Sequence, residues 1–291
     1  NADAVRNRTV TDIFEPGSTV KPFAIAAALS AGQISPETVI NTHPGYLRLG
    51  NKTIRDHRNY GDLDIAGILT KSSNVGVSKI ALKLGGEKLW SFYQELGLGK
   101  PVGLGLPGEH SGKVAVSTNN WNKLQSATLA YGYGLAVTPL QLAQAYQVLA
   151  NGGVKQPLSL IHKTQEPGQQ VVSKEVASQV LTMLQGVVGE KGTARRAKVD
   201  GYRVAGKTGT VHKVGRNGYE DEQYFSLFAG IAPVNNPKIV TIVIVDDPAG
   251  REYYGGEVAA PIFSRVTQSS LRLLNVPPTE IESNSVAGGI L

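Results

Sequence analysis

The hydrophobic periodicity of the chain changes at Gly201, and this change restricts the possible folds more than any other feature of the sequence. Before Gly201, apolar residues recur at the spacing of buried or amphipathic helices, which glycines and capping residues separate. After it, segments rich in β-branched and aromatic residues alternate with Gly, Asn and Pro turns, a pattern typical of an antiparallel meander. The predicted helices cover residues 18–29, 64–70, 75–84, 89–96, 140–150, 176–187 and 260–274, and the predicted strands cover residues 202–210, 224–231 and 238–246. This order predicts an α/β (α+β) fold: an antiparallel sheet with helices on its faces plus an all-helical subdomain.

Composition excludes several classes of protein. The longest apolar stretches, residues 24–29 and, apart from one Thr, residues 239–245, fall far below the roughly 18 residues of a membrane-spanning helix. The absence of Cys excludes disulfides, thiolate catalysis and Cys-based metal sites, and we predict no metal site of another kind. The net charge of +6 is spread along the chain without a run of five basic residues. We therefore interpret the cluster of Arg195, Arg196 and Lys198 as a solvated loop and expect no nucleic acid partner.

A proline fixes the start of the first helix. Because Pro22 lacks a backbone N–H, it is tolerated only in the first turn, so the helix must begin near Ser18. Ser18 and Lys21 then share one face at i, i+3 spacing. A serine hydroxyl becomes a good nucleophile only beside a base, and a lysine can be that base if its pKa is lowered. Ser18 and Lys21 are therefore a candidate nucleophile and general base.

Lys207 belongs to two competing patterns, of which the first is a phosphate-binding loop. Residues 201–208 match GxxxxGK[ST], and residues 239–247 resemble the apolar strand ending in acid that usually holds magnesium. Such a loop requires a helix directly after its Lys-Thr, with N–H groups aimed at the phosphate. Here Gly209 and Thr210 continue a strand pattern, so nucleotide binding is a remote alternative.

The second pattern joins Lys207 to two other motifs. The ordered set is Ser18-Thr19-Val20-Lys21, Ser72-Ser73-Asn74 and Lys207-Thr208-Gly209-Thr210. This combination occurs in penicillin-binding proteins and serine β-lactamases. Ser-x-Asn occurs a second time at Ser117-Thr118-Asn119, where the sequence predicts a loop with no helix after it. We therefore assign the second motif to Ser72 and Asn74.

Each motif has a task in acyl transfer. Ser72 can bridge Lys21 and Lys207 and relay a proton to the leaving group, while Lys207 is the second cation that lowers the pKa of Lys21. Asn74 offers a donor and an acceptor, one for a substrate amide and one for orienting Lys21. These residues complete a catalytic set with Ser18.

The third motif is suited to binding anions. The backbone N–H groups of Ser18 and Thr210 are candidates for an oxyanion hole. The hydroxyls of Thr208 and Thr210, which flank Gly209, suit a substrate carboxylate together with Lys207. None of this chemistry calls for a cofactor, and we predict none.

Longer segments around the motifs make a family resemblance specific. They are EPGSTVKPF at 15–23, KSSNVG at 71–76, YGYG at 131–134, VTPLQLA at 137–143 and AGKTGT at 205–210. From about Asn7 to Pro277 the chain resembles the transpeptidase domain of class B penicillin-binding proteins, and most of all the division-specific, septal enzyme of Gram-negative bacteria. The resemblance implies that Ser18 attacks the D-Ala-D-Ala stem peptide, releases D-Ala and passes the acyl group to an amine on a neighbouring strand. It also implies that β-lactams acylate Ser18.

The resemblance implies further contacts, partners and a location. Four tyrosines fall where the family lines the substrate and inhibitor pocket: Tyr219, Tyr224, Tyr253 and Tyr254. Some relatives carry a basic residue after the third motif where this chain has Val211-His212, so inhibitor contacts there stay open. The implied partners are peptidoglycan stem peptides, β-lactam antibiotics, a septal glycosyltransferase and other division proteins. The implied location is the periplasmic face of the inner membrane, reached through an anchor outside this sequence.

Other classes that form serine acyl-enzymes stay open as alternatives. A class A β-lactamase needs Glu-x-x-x-Asn between the second and third motifs, but the match here, residues 37–41, precedes the second. A class D β-lactamase has an apolar residue in place of Asn74. A β-lactam sensor domain shares all three motifs, although the segments around them resemble a transpeptidase. A Ser-His-Asp hydrolase is disfavoured because no serine lies in a Gly-x-Ser-x-Gly elbow.

The resemblance also gives expectations for the two ends of the chain. We expect a transpeptidase domain over residues 1–276 and a polar tail over residues 277–291. In the resembled fold two strands precede the nucleophile and complete the sheet, and we expect them to be missing here. Residues 238–246 would then form an open edge, which promotes aggregation. We therefore expect a separate piece of polypeptide, or another segment such as the tail after Pro277, to cover that edge.

Overall fold

A computed structural model describes residues 6–114, 121–161, 166–215 and 218–278. Its helices are α1 (Arg8–Thr11), α2 (Lys21–Ser30), α3 (Ile65–Lys71), α4 (Asn74–Leu84), α5 (Gly86–Glu95), α6 (Lys123–Leu129), α7 (Pro139–Ala150), α8 (Lys174–Val188) and α9 (Gly255–Leu273). Its strands are β1 (Val39–Asn41), β2 (Tyr46–Leu49), β3 (Lys52–Arg55), β4 (Asp62–Asp64), β5 (Lys113–Val114), β6 (Leu135–Ala136), β7 (Val154–Lys155), β8 (Gln169–Gln170), β9 (Ala205–Gly215), β10 (Gly218–Ala232) and β11 (Ile239–Asp246). Short 3-10 helices cover Gly17–Val20 and Arg195–Ala197.

The predicted meander is the main sheet of the protein. Strands β9, β10 and β11 are antiparallel, with β10 in the centre. Helices α7, α8 and α9 pack against these strands. The predicted fold class is therefore confirmed.

The two faces of this sheet meet different parts of the chain, because successive residues of a strand point to opposite sides. On one face, the ring of Phe228 packs on Phe263 of α9 with centroids 4.7 Å apart. On the other, Leu227 and Gly209 lie beside Thr19, just before α2. Lys207 shares the face of Gly209 by this alternation, so its side chain points toward the helical side of the molecule.

Helix α2 forms the centre of the helical side. All of its residues from Lys21 to Ala28 are buried, as expected for a helix that is apolar on nearly every face. The ring of Phe23 meets Tyr146 of α7 edge-on with centroids 5.1 Å apart. The Tyr146 hydroxyl also donates to the Thr19 carbonyl at 2.7 Å. These contacts fix the start of α2 against the core.

Helices α3 to α6 form the predicted helical subdomain, but it also carries short strands that the sequence analysis did not predict. Strands β1 and β4 pair with each other, as do β2 and β3. Each has only three or four residues, too few for an alternating hydrophobic pattern to emerge. The β3 strand contacts α4 and so places the chain after it beside the start of that helix.

Some predicted boundaries, and one predicted loop, were wrong. Strand β9 starts at Ala205 instead of residue 202, because Tyr202 instead forms a tight bridge with Val199. Helix α9 starts at Gly255 instead of residue 260. Its first two residues are glycines, which are poor helix formers and so do not predict a helix start. Glycine is nevertheless needed at Gly255, because a side chain there would overlap the Gly209 carbonyl. A helix, α6, does follow the second Ser-x-Asn motif, whose residues 117–119 lie outside the described part of the chain.

Strand β11 pairs with β10 alone among the residues that the structure describes. The expectation that another segment covers its second edge stays a prediction, as do the predicted domain boundaries. The end of β11 is held by Asp246, which forms ion pairs with Arg8 at 3.0 Å and Lys213 at 2.9 Å. No helix in the described ranges is both long and apolar enough to cross a membrane.

Candidate active site

Ser18 lies in the 3-10 turn Gly17–Val20 that leads into α2, close to the helix start that Pro22 predicts. Gly17 has a φ of 52°, and its N–H donates to the Gly132 carbonyl at 3.3 Å. A Cβ on Gly132 would overlap the backbone of Gly17, so the two glycines pack directly against each other. Ser18 is half-buried and lines a cavity of about 910 Å³. This turn therefore holds the candidate nucleophile at the wall of a ligand-sized cavity.

Lys21 is completely buried and makes three hydrogen bonds. Its Nζ donates to the Ser72 carbonyl at 2.5 Å, to Asn74 Oδ1 at 2.7 Å and to Ser72 Oγ at 3.1 Å. Burial lowers the pKa of Lys21 well below its ordinary value; the charge of Lys207 lowers it further, and Asp56 opposes both. The neutral amine that a general base requires is therefore far more accessible here than in an exposed lysine.

Ser72 stands at the junction of two helices in an unusual backbone conformation. It ends α3 with a φ of 58° and a ψ of 40°, the left-handed region, and Ser73 then caps α4 by accepting from the Gly76 N–H. A non-glycine residue in this region costs about 1–3 kcal/mol, and such strain concentrates at functional sites. The kink turns the Ser72 hydroxyl toward Lys21 and Lys207.

Lys207 is completely buried within β9. Its Nζ donates to Ser72 Oγ at 2.9 Å and to the Thr208 carbonyl at 3.3 Å, and burial lowers its pKa to about 7. The Ser72 hydroxyl thus lies between the amines of Lys21 and Lys207. With one proton and two lone pairs, it can accept from a charged amine while donating to a neutral one. This geometry suits a proton relay between the two lysines.

The third motif lies along the outer strand of the described sheet. Thr208, Gly209 and Thr210 line the same cavity as Ser18. The Thr208 hydroxyl is 2.8 Å from that of Thr193, and the Thr210 hydroxyl accepts from the Gly255 N–H at 3.0 Å. Because β9 continues past Thr210 to Gly215, the helix that a phosphate-binding loop needs does not follow Lys207, and the nucleotide alternative is wrong.

Three of the four predicted pocket tyrosines form one aromatic stack. Tyr253 stacks on Tyr224 with centroids 4.2 Å apart and on Tyr254 with centroids 4.6 Å apart. Of these three, Tyr254 lines the cavity itself. The backbone of Tyr219 pairs with Val214 near the hairpin end, and its side chain lies outside the described part of the structure.

Comparison with known proteins matches residues 1–268 to the family model of the penicillin binding protein transpeptidase domain. The chain belongs to this family.

Individual relatives agree with this assignment. The chain is 41% identical over 277 residues to the peptidoglycan D,D-transpeptidase FtsI of Escherichia coli K12, covering 95% of this chain and 47% of FtsI. It is 40% identical over 281 residues to the probable peptidoglycan D,D-transpeptidase PbpC of Pseudomonas aeruginosa, covering 96% of this chain and 50% of PbpC. The chain thus spans about half the length of these curated relatives.

A solved transpeptidase domain has the same fold. The apo structure of the transpeptidase domain of penicillin-binding protein 3 from Burkholderia pseudomallei aligns with a TM-score of 0.90 at 40% identity, covering 95% of this chain and 84% of that one.

Asp56 is a residue of the site in this transpeptidase domain that was not predicted from the sequence. Its carboxylate accepts from the Ser73 hydroxyl and the Asn74 N–H, both at 2.6 Å, and from the Val75 N–H at 2.9 Å. A carboxylate at a helix N-terminus is stabilised by the unsatisfied N–H groups and the helix dipole. No local spacing could have indicated this role, because Asp56 reaches α4 only through the β2–β3 hairpin.

One wall of the cavity was likewise not predicted from the sequence. Besides the motifs, its lining includes His57, Tyr60, Lys71, Glu190, Gly192, Thr193, Arg195, Arg196 and Glu257. Arg195 and Arg196, interpreted from the sequence as part of a solvated loop, are exposed as expected, but they face the cavity that contains Ser18. The transpeptidase cavity therefore carries charged groups beyond the three motifs.

Proposed function

We propose that this chain is the catalytic domain of a serine D,D-transpeptidase, which cross-links peptidoglycan stem peptides through an acyl-enzyme on Ser18. The observation that carries the proposal is the Ser72 hydroxyl, which lies 3.1 Å from the amine of Lys21 and 2.9 Å from that of Lys207 beside the cavity of Ser18. Two buried lysines joined by a hydroxyl can hold one proton between them and move it in either direction.

Acylation begins when Lys21, in its neutral form, takes the proton of Ser18. Ser18 Oγ then attacks the carbonyl carbon of the penultimate D-Ala. The N–H groups of Ser18 and Thr210 stabilise the oxyanion, and each such donor typically contributes about 10²- to 10³-fold in rate. The proton passes through Ser72 to the leaving amine, and D-Ala departs.

Substrate recognition rests on the outer strand. The terminal carboxylate of the stem peptide binds the hydroxyls of Thr208 and Thr210 beside Gly209, with the charge of Lys207 behind them. Asn74 holds Lys21 through its Oδ1, and Tyr254 lines the cavity wall that the peptide side chains meet. A β-lactam resembles the D-Ala-D-Ala end in shape and charge, so it acylates Ser18 in the same way.

The setting of this reaction is inferred from the relatives, whose names include the peptidoglycan D,D-transpeptidase FtsI. We place the activity at the division septum, on the periplasmic face of the bacterial inner membrane, with an anchor outside this sequence. A septal glycosyltransferase that makes the glycan strands, and other division proteins, are the expected partners.

Intact mass after incubation with a simple penicillin tests the proposal. We expect one adduct of the full drug mass on a peptide containing Ser18, and none in Ser18→Ala. The adduct should persist for hours, because neither carboxylate among the described lining residues is free to activate water. Glu190 is paired with Lys198, and Glu257 is paired with Arg196.

Other outcomes of this experiment would favour the alternatives. Rapid loss of the adduct with steady drug turnover would indicate a β-lactamase. A stable adduct without release of D-Ala from a stem pentapeptide would indicate a sensor domain. Binding of magnesium-ATP without acylation would contradict the proposal altogether.

A further inference from the structure

The cavity beside Ser18 has a charged wall that the catalytic steps above do not use. This wall, formed by Glu190, Thr193, Arg195 and Arg196, belongs to the segment between α8 and β9. We call it the charged wall. Its residues lie on the surface, so their contacts decide whether they form a fixed part of the site.

Several contacts fix the charged wall to the catalytic elements. The hydroxyl of Thr193 is 2.8 Å from that of Thr208 in the third motif. Lys71, which precedes Ser72, donates to the Lys191 carbonyl at 2.9 Å. At the far end, Arg196 pairs with Glu257 in the first turn of α9 at 3.0 Å. The wall therefore spans from the second motif to α9, and its position is set by the same elements that build the active site.

One cation of the charged wall has no counter-ion of its own within the described part of the chain. Glu190 is held by Lys198 at 2.5 Å, and Glu257 is held by Arg196. Among the described residues, no hydrogen bond or ion pair engages the guanidinium of Arg195, which acts on Glu190 only through its electrostatic field. A guanidinium presents five donors in a fork that matches a carboxylate. Arg195 is thus available to bind an anion within the cavity.

The contact between Thr193 and Thr208 indicates which substrate binds beside the charged wall. Thr208 is assigned above to the carboxylate of the departing D-Ala, so the charged wall flanks the leaving-group side of the acyl carbon. Once D-Ala has left, the incoming amine must occupy that same side to reach the acyl-enzyme. An anionic group carried by the acceptor would then lie beside Arg195.

We propose that Arg195 is a specificity-determining residue that binds a carboxylate of the acyl acceptor, so that the preferred acceptor is an amine borne by an amino acid with a free carboxylate. This inference rests on the transpeptidase activity proposed above. In the transfer step, the acceptor nitrogen forms a bond to the acyl carbon, and the bond from that carbon to Ser18 Oγ breaks. The amine loses one proton, and Ser18 regains one through Lys21, so no other reactant is needed.

The test uses the full 291-residue chain and a small thioester donor, N-benzoyl-D-alanyl-thioglycolate. Acylation of Ser18 by this donor releases a thiol. D-Alanine and D-alaninamide serve as acceptors, and the ratio of transfer product to hydrolysis product is measured for each. We expect D-alanine to be the better acceptor. Arg195→Gln should lower its ratio about ten-fold, the usual effect of losing a charge-assisted hydrogen bond, and leave the ratio for D-alaninamide within two-fold. Arg195→Lys should retain part of the preference.

Controls separate this inference from the proposed function. Arg265→Gln removes an exposed arginine of α9 that does not line the cavity, and it should leave both ratios unchanged. Penicillin should still acylate Ser18 in both Arg195 variants, because no acceptor takes part in that step, and Arg265→Gln should be acylated at the rate of the unmodified chain. Equal ratios for the two acceptors in the unmodified chain would overturn the proposal. An unchanged preference of Arg195→Gln for D-alanine over D-alaninamide would also overturn it. That result would indicate that the acceptor carboxylate binds Thr208 and Thr210 instead. Failure of both the thioester and penicillin to acylate Ser18 would reject the proposed function itself.

Discussion

The carboxylate of Asp56 accepts a hydrogen bond of 2.6 Å from the hydroxyl of Ser73, the middle residue of the second motif. The same carboxylate accepts from the backbone N–H of Asn74, also at 2.6 Å. Since Asn74 Oδ1 in turn accepts from Lys21 at 2.7 Å, Asp56 is one step removed from the candidate general base. We assign Asp56 as a positioning residue that fixes the start of α4 and, through it, both candidate functional side chains of the motif.

We predict that Asp56→Asn lowers the rate of acylation by penicillin about ten-fold and the free energy of unfolding by about 1–3 kcal/mol, the range for an unsatisfied buried donor. The amide keeps one acceptor oxygen but loses the charge that favours the helix N-terminus. The rate of acylation by a fluorescent penicillin measures the first effect, and urea unfolding measures the second. Asp64→Asn is the matched control, because Asp64 caps α3 through the Gly67 N–H at 2.6 Å and an asparagine caps a helix equally well. Equal acylation in the two variants would contradict the role of Asp56.

Gly132→Ala should displace the turn that carries Ser18. Gly132 has a φ of 86°, and a Cβ on it would overlap the backbone of Gly17. Gly103 has a φ of 85°, yet a Cβ there would meet nothing within 4 Å. Gly103→Ala therefore carries the same backbone strain, about 1–3 kcal/mol, without the overlap. We expect penicillin acylation to fall at least ten-fold more in Gly132→Ala than in Gly103→Ala, and similar losses in both would show that strain alone is responsible.

The two buried lysines should respond differently to truncation. Lys21→Ala removes the proposed base and should reduce acylation by about 10²- to 10⁴-fold, the usual contribution of general base catalysis. Lys207→Ala should mainly weaken binding of the drug carboxylate and slow acylation less, because the base remains. The concentration dependence of acylation separates binding from the maximal rate. Lys88→Ala, an exposed position on α5, should match the unmodified chain. A larger rate defect in Lys207→Ala than in Lys21→Ala would reverse the assigned roles.

How much the sequence could predict depended on whether the signal was local. Thr138 and Pro139 predicted the start of α7 because a capping residue and a first-turn proline are neighbours in the sequence, and the structure shows Thr138 as the N-cap with Pro139 in the first turn. The strand position of Lys207 was likewise predicted from its neighbours. The approach of Lys21 to Ser72 was inferred from the motif set, whereas the left-handed backbone of Ser72 and the role of Asp56 depend on contacts between distant segments. Spacing carries no information about such contacts.

The choice between the two Ser-x-Asn motifs gives a further prediction. Ser72→Ala should slow acylation about 10²-fold or more, because the hydroxyl between Lys21 and Lys207 is the proposed proton relay. Ser117→Ala should leave acylation unchanged; Ser117 lies outside the described residues, and its assignment stays a prediction from the sequence. Acylation by the fluorescent penicillin compares the two. An inactive Ser117→Ala beside an active Ser72→Ala would reverse the assignment.

Burial of Lys207 should also make stability depend on pH. Its pKa is lowered to about 7 in the folded protein, against about 10.4 when unfolded, so between these values the unfolded chain binds more protons. The free energy of unfolding should therefore rise with pH across this window, by up to about 1.4 kcal/mol per pH unit for this one group. Lys207→Met removes the titrating amine and also relieves the effect of its charge on Lys21, so it should flatten the rise. Urea unfolding at pH 7.5, 8.5 and 9.5 measures the slope, and Lys123→Met, at an exposed position of α6, removes the same charge as a control. Parallel slopes for the unmodified chain and Lys207→Met would show that Lys207 does not change its protonation on folding.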